Sequence, residues 1–430
     1  MGAWALMRSL NSSQRNTFLA SFLGWTLDAF DYFVVTFVVI YIAKDFTVAI
    51  PLVALTITVT LMMRPVGALI FGLLADRFGR RVPLMVDIIF YSIIELLTAF
   101  SPNFTIFFIL RALYGIGMGG EWGVGASLAM ESLPTRARGL FSGILQQGYA
   151  VGYLIAAIVF AIVFPIFGWR AMFVIGVLPA LLVLFIRAKV PESEVWEQHQ
   201  VERTERGISI WRAIGGAIRE HWVLFIYAIL LMSAFNYMSH GTQDLYPTFL
   251  EKQRALSTGT VSLIAIIYNI GAICGGTTFG YFSQRWGRRR SIIIAAILGI
   301  IMIPLWAFSP SLVLLTIGAF LLQFMVQGAW GIIPAHLNEL SPPSVRGTFP
   351  GFTYQLGNLI SAPAATIEAL VAENFKTANG SPNYALTLAV LALIVFILVI
   401  FFTAIGRTEA KELEFRRETL TGEERGAYGQ

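Results

Sequence analysis

Apolar residues in this chain come in long unbroken runs. They do not alternate as in a half-buried strand, and they do not form the single stripe of a surface helix. Runs of about 20 residues can cross a bilayer as helices, because a helix satisfies every backbone hydrogen bond internally. Twelve such runs stand at 18–42, 52–75, 83–101, 104–130, 139–164, 168–188, 221–248, 258–282, 290–308, 311–337, 347–370 and 383–405. The first begins near Phe18 and is long enough to span, and no cleavable signal peptide precedes it. Between the sixth and seventh runs lies a polar stretch, Lys189 to Glu220, rich in Glu and Arg. The pattern predicts an all-α membrane protein of twelve transmembrane helices. Its expected parts are a six-helix bundle over 1–188, a cytoplasmic linker over 189–220, a second six-helix bundle over 221–406 and a charged cytoplasmic tail over 407–430.

An internal repeat sharpens this division. An offset of 208 residues maps Gly72 and Gly79 onto Gly280 and Gly287, and Arg77, Arg80 and Arg81 onto Arg285, Arg288 and Arg289. It also maps Ala99-Phe100-Ser101-Pro102 onto Ala307-Phe308-Ser309-Pro310. Glu131, Arg138, Gly139, Gly143 and Gln147 fall on Glu339, Arg346, Gly347, Gly351 and Gln355. Parallel repeats of six helices mark a two-bundle transporter whose halves rock around a midplane site.

Composition agrees. The 430 residues are 57% hydrophobic and 13% charged, against about 25% charged in a soluble domain. The net charge of +5 does not indicate nucleic acid, because the basic residues sit in short loops between apolar runs. With both termini inside, 23 of the 30 Lys and Arg residues fall on cytoplasmic segments, the bias that orients membrane proteins. The single cysteine, Cys274, excludes an internal disulfide, and zinc spacing is absent. No nucleophile–base constellation or phosphate loop suggests an enzyme. No metal or cofactor is expected.

Charged residues at membrane depth are costly and are functional candidates. The first helix carries Asp28 and Asp31, the second Arg64, the third Asp87 and Glu95, and the fourth Arg111 and Glu121. Asp87 lies near a helix end and reads as interfacial. Glu95 reads either as a member of a structural pair or as a functional acid. Arg64 lies mid-helix, where its planar fork suits a carboxylate, and a structural role is the alternative. On the seventh helix Asn236, His240, Gln243 and Pro247 share one face, with Ser239 and Thr242 beside it. His240 and Asp244 are i,i+4 neighbours that can pair. Under the repeat offset Asn236 matches Asp28 and Ser239 matches Asp31, so both polar patches are expected at one depth.

Several segments resemble known patterns. Gly72-Leu-Leu-Ala-Asp76-Arg77-Phe-Gly79-Arg80-Arg81 resembles the loop signature of the major facilitator superfamily, and Gly280 to Arg289 repeats it with Gln284 in place of the acid. Asp76 is expected to pair with loop cations such as Arg138, and the second copy to form a weaker latch. Glu131 to Gly139 and Glu339 to Gly347 look like the matching corners after the fourth and tenth helices. Val190-Pro-Glu-Ser-Glu194 resembles a sugar-porter signature after the sixth helix. Asp76, Arg77, Glu131, Arg138, Arg285, Glu339 and Arg346 are therefore gating candidates. Arg111 to Glu121 resembles the fourth-helix motif of proton-coupled members, in which the arginine pairs with a first-helix acid, here Asp31 or Asp28. Asn236 to Thr248 matches the yeast-type lactate permease signature, Asn-x-x-Ser/Thr-His-x-Ser/Thr-Gln-Asp-x-x-x-Thr, at every specified position. The first half resembles the wider sialate:proton symporter family.

The resemblance implies a symporter that carries a small monocarboxylate, lactate or pyruvate, with a proton across the cell membrane. Arg64 or Arg111 would receive the carboxylate, and Asn236, Ser239 and Gln243 would bind substrate or line its path. Asp28, Asp31, Glu121, His240 and Asp244 are the proton-coupling candidates, with the acids concentrated in the first half. A monomer in the lipid bilayer is expected. The rivals are a symporter of a larger acid, sialate or aromatic, and a transporter-like sensor that binds without turnover.

Overall fold

The computed structural model describes residues 3–205, 210–377 and 380–406. The proposed tail, 407–430, lies outside the described residues. We number the crossing helices α1 (Ser12–Asp45), α2 (Ile50–Phe78), α3 (Arg81–Ala99), α4 (Phe104–Ser132), α5 (138–167) and α6 (169–189) in the first half. The second half holds α7 (Trp222–Gln243), α8 (Thr258–Trp286), α9 (Arg288–Phe308), α10 (Leu312–Trp330 with Ile333–Leu340), α11 (Phe349–Ser361 with Ala364–Asn374) and α12 (Tyr384–Ile405). Among the described residues, ten helical stretches are long and apolar enough to cross a membrane. One of them, Arg138–Lys189, spans 52 residues and is two crossings. Gly168 divides it, with φ 75° and ψ −176°, in the left-handed region that glycine adopts freely. The broken helix α11 supplies the remaining crossing.

Local chemistry sets the ends. Asn11 and Gln14 form a reciprocal capping box at the start of α1. Asn103, Ser257 and Asn383 cap α4, α8 and α12 through their side chains. Gly79 (φ 93°) and Gly287 (φ 88°), repeat partners, make the tight turns between α2 and α3 and between α8 and α9.

Three predicted runs are interrupted. α7 stops at Gln243, before a short Tyr246–Thr248 turn and a π turn over Phe249–Gln253. α10 breaks at Gly331 and α11 at Ala362. Pro247, Pro334 and Pro363 stand at or beside these breaks, where a missing N–H cannot continue the ladder.

Apolar side chains such as Ile158, Ile162, Ile166 and Leu184 stay exposed, as lipid-facing positions require. Within the halves α2 packs on α4 and α8 on α10, again repeat partners. Between the halves α5 packs on α8, and α11 on α2 and α4. The contacts are glycine-lined. A Cβ on Gly143 would stand 2.4 Å from the Gly276 carbonyl oxygen, and one on Gly123 would stand 2.6 Å from the Gly351 Cα. Small residues let membrane helices approach this closely.

Candidate functional site

The halves meet most tightly at the end that carries the basic loops. Asp76, at the end of α2, accepts hydrogen bonds from the Gly347 N–H (2.7 Å), the Thr348 N–H (3.0 Å) and the Thr348 hydroxyl (2.7 Å). A carboxylate thus caps the N-terminus of α11 across the two halves, where orphan N–H groups and the helix dipole favour negative charge. The expected partner Arg138 is not the one found. Asp76 meets Arg80 of its own loop at 3.1 Å, and Arg138 Nε donates to the Met130 carbonyl.

Arg80 also forks onto Glu131, with Nε and Nη2 at 3.2 and 3.1 Å. The linker completes the corner: Glu192 accepts from the Arg80 and Arg81 N–H groups, and Ser193 donates to Glu131. Trp196 donates to the Asp76 carbonyl. The segment after α6 is therefore built into this corner of the first half.

The second half repeats this corner. Arg288 forks onto Glu339 at 3.1 and 2.9 Å, and Gln284 accepts from Arg288 at 2.8 Å. Gln284 also accepts from the Gly139 N–H at 3.3 Å, which is the repeat image of Asp76 on Gly347. Glu131 feels the charge of Arg346 across the halves, and Glu339 that of Arg138. Arg77 and Arg285 lie over the rings of Phe78 and Tyr281 on their own helices. Ser127 donates to the Arg346 carbonyl, and Ser142 to that of Gly331.

Above this contact Trp122 of α4, Tyr354 of α11 and Trp330 of α10 form an aromatic floor, with ring centroids 4.6 and 5.5 Å apart. Arg64 stands over Tyr354 at 5.7 Å. It is buried, and its Nε and Nη2 have no hydrogen-bond partner among the described residues. Asp28, Tyr32, Tyr149 and Tyr354 are its near neighbours. Arg111 differs. Its Nη1 meets Glu95 of α3 at 2.6 Å, and its guanidinium lies 4.2 Å from the Tyr114 ring.

The expected pairing of Arg111 with Asp31 or Asp28 is therefore corrected to Glu95, which the α3–α4 packing brings alongside it. Among the described residues, Asp31 has both oxygens without a protein partner, and it abuts Gly176. Asp28 accepts from the Tyr114 hydroxyl at 3.2 Å. Glu121 packs on Gly24, with neither oxygen partnered among the described residues. Asp87, near the basic end of α3, is buried within the first bundle, and neither oxygen has a protein partner among the described residues.

The facing helix α7 presents its polar stripe. His240 Nδ1 lies 3.1 Å from Asp244, and Nε2 lies 3.3 Å from Asn358 of α11. Arg64 is near enough for its charge to act on His240. Ser239 accepts from Gln327 at 3.3 Å, and Gln243 donates to Gln323 at 2.7 Å. Asn236 is buried and donates to the Met232 and Tyr354 carbonyls.

The His240 and Asp244 side chains keep 33% and 40% exposure, whereas Asp76, Arg80, Glu131 and Arg288 are buried. α1 and α7 share no extended packing. The halves are pressed together at the basic end and parted beyond the centre.

One residue of this region escaped the sequence reading. Glu368 of α11 is buried against Gly241, with both oxygens lacking a protein partner among the described residues, and lies near Tyr237 and Asp244. Acid is thus not confined to the first half. The signal was a lone Glu inside a predicted span.

The description Major Facilitator Superfamily fits residues 20–257, more than half of the chain. The chain belongs to the major facilitator superfamily. Its second half, residues 212–406, also matches the family Sugar (and other) transporter. This superfamily member is 32% identical to the Carboxylic acid transporter protein homolog of Saccharomyces cerevisiae, over 93% of this chain and 69% of that protein. It is 28% identical to the Sialic acid transporter NanX of Escherichia coli, over 83% and 86% of the two chains. It is 29% identical to the Probable 4-methylmuconolactone transporter of Cupriavidus pinatubonensis, over 90% of each.

Solved structures share the fold. The proton:xylose symporter XylE bound to 6-bromo-6-deoxy-D-glucose superposes with a TM-score of 0.71 at 17% identity, over 91% of this chain and 96% of that one. The human organic anion transporter MFSD10 gives 0.70 at 15%, over 90% and 100%. The superfamily member is a multi-pass membrane transporter of twelve helices.

Proposed function

We propose that this transporter is a proton symporter of a small monocarboxylate of the lactate or pyruvate type, acting at the cell membrane as a monomer with both termini cytoplasmic. The observation that carries the reading is Arg64, a buried guanidinium between the halves with two nitrogens that no described residue engages. A carboxylate offers the two parallel acceptors that such a fork needs. Arg111 already holds Glu95, so Arg64 takes the substrate. The Ser239, His240 and Gln243 stripe faces it and supplies polar contacts.

A proton must accompany the anion. Importing one negative charge against a negative-inside potential costs about 2.3 kcal/mol per 100 mV, and a proton removes that cost. Asp28 beside Arg64 and the His240–Asp244 pair are the groups placed to couple the two. With the basic end cytoplasmic, the closed Asp76 latch leaves the centre reachable from outside. Asp76, Glu131, Arg138, Glu339 and Arg346 would regroup when the other face opens, with Arg77 and Arg285 flanking them.

The test is lactate-driven proton uptake in proteoliposomes. Losing two charge-assisted hydrogen bonds predicts about a 100-fold fall in uptake for Arg64→Gln. Wild-type uptake in that variant would sink the assignment.

A second reading is a larger organic acid. It is favoured by relatives whose names specify sialic acid and niacin. Competition against lactate uptake by sialate and nicotinate separates the two, since the preferred substrate displaces the other at lower concentration.

A further inference from the structure

The first bundle buries more carboxylate than its cations match. Asp28, Asp31, Asp87, Glu95 and Glu121 are buried at membrane depth, with Arg64 and Arg111 as cations among the described residues. Unmatched ionised carboxylates are too costly to keep in such surroundings, so protons must be part of this cluster.

The acids form a sequence in depth. At 1.5 Å per residue, Asp87 lies about 9 Å along α3 from its basic end, Glu121 about 16 Å along α4, and Asp28 about 24 Å along α1. Tyr91, one turn beyond Asp87, is fully buried with an unpartnered hydroxyl. It lies close enough to Asp28, Asp31, Asp87 and Glu121 for their charges to act on it. Its ring meets Tyr114 edge-on at 6.2 Å, and the Tyr114 hydroxyl donates to Asp28. At the basic end Arg81 donates to the Arg187 carbonyl, and Glu121 and Asp28 lie close enough to Asp87 for their charges to act on it.

The fold does not need these groups. The second half has Ala295, Gly299 and Ala329 at the positions of Asp87, Tyr91 and Glu121, all buried in the same architecture. α3 packs against α2, α4 and α6, away from the contact between the halves.

We propose that Asp87, Tyr91 and Glu121 form a proton path inside the first bundle, joining the basic end to Asp28 beside Arg64 and separate from the substrate path between the halves. Each step breaks an O–H bond on one group and forms one on the next, so a proton enters at one end and another leaves at the other. The path rests on the symport reading above.

Two measurements on proteoliposomes test it. One is lactate exchange between loaded and external pools, which needs no net proton movement. The other is proton-driven lactate accumulation with a trapped pH dye. Asp87→Asn should keep exchange within about twofold of wild type and lower accumulation about 100-fold, the lower end of the scale for losing a positioned proton-transfer group. Asp87→Ala, which installs the second half's residue, should behave alike, and Tyr91→Phe should lower accumulation by less than either. Unimpaired accumulation in both Asp87 variants would overturn the path alone, as would equal loss of exchange and accumulation. Lactate without proton movement in the wild type would overturn the symport reading and the path with it.

Discussion

The two halves share a backbone plan and differ in their chemistry. Asp76 and Gln284 occupy the same turn and reach the same N–H across the halves, Gly347 and Gly139. Asp76 makes three contacts to the second half from a charged group. Gln284 makes one to the first, at 3.3 Å from a neutral group. The Arg–Glu forks behind them are nearly identical. The membrane interior diverges further: the first half holds Glu95–Arg111 where the second has Ile303 and Ala319. The fold thus tolerates either polar or apolar solutions at the same positions, so packing alone does not require the polar ones in the first half.

The largest effect should come from splitting the buried pair. Arg111→Ala leaves Glu95 charged or forced to protonate in a buried site beside other acids, at a cost of about 3–5 kcal/mol. Adding Glu95→Ile, which completes the second half's pair, should restore most of that loss. Thermal unfolding in detergent reads both. A double variant as unstable as the single one would show that the pair holds more than itself.

A smaller shift should follow Asp76→Asn. One carboxamide oxygen cannot replace two charged ones against Gly347 and Thr348, so basic-end closure should weaken by about 2–3 kcal/mol, or roughly 30- to 150-fold in population. The fork from Arg80 to Glu131 stays. Spin labels on the basic ends of α5 and α8, in a Cys274→Ser background, report the distance. An unchanged distribution would remove Asp76 from the latch.

The fold is legible in the sequence because its signals are one-dimensional. Apolar runs fix the crossings, and the 208-residue offset pairs them. Side-chain partners are not legible where they depend on rotation and depth. Arg111 had acids on α1 and α3 to choose from, and only packing selects Glu95. Asp76 binds backbone N–H groups, which no side-chain letter marks. Helix breaks at Gln243 and Gly331 arise from prolines that hydropathy reads as harmless. Glu368 was visible as an acid in an apolar run, but it lies outside the seventh-helix motif that drew the site onto α7.

The smallest effect is also the closest test of the comparison. Gln284→Glu keeps the shape of the side chain and the acceptor that already meets Gly139 and Arg288. It adds the charge that Asp76 has. Gly139 lies in the first turn of α5, so the new carboxylate faces a helix N-terminus, as Asp76 does on α11. Arg288 would then serve two acids, the introduced carboxylate and Glu339, as Arg80 already serves Asp76 and Glu131. Closure of the basic end should gain about 1 kcal/mol, near fivefold in population. Transport should slow, because each cycle must part this contact to open the other face. The same spin-label pair should show the closed distance sharpen while exchange falls. If closure strengthens and exchange does not change, opening of this latch does not limit the cycle, and the asymmetry between Asp76 and Gln284 sets the resting conformer alone.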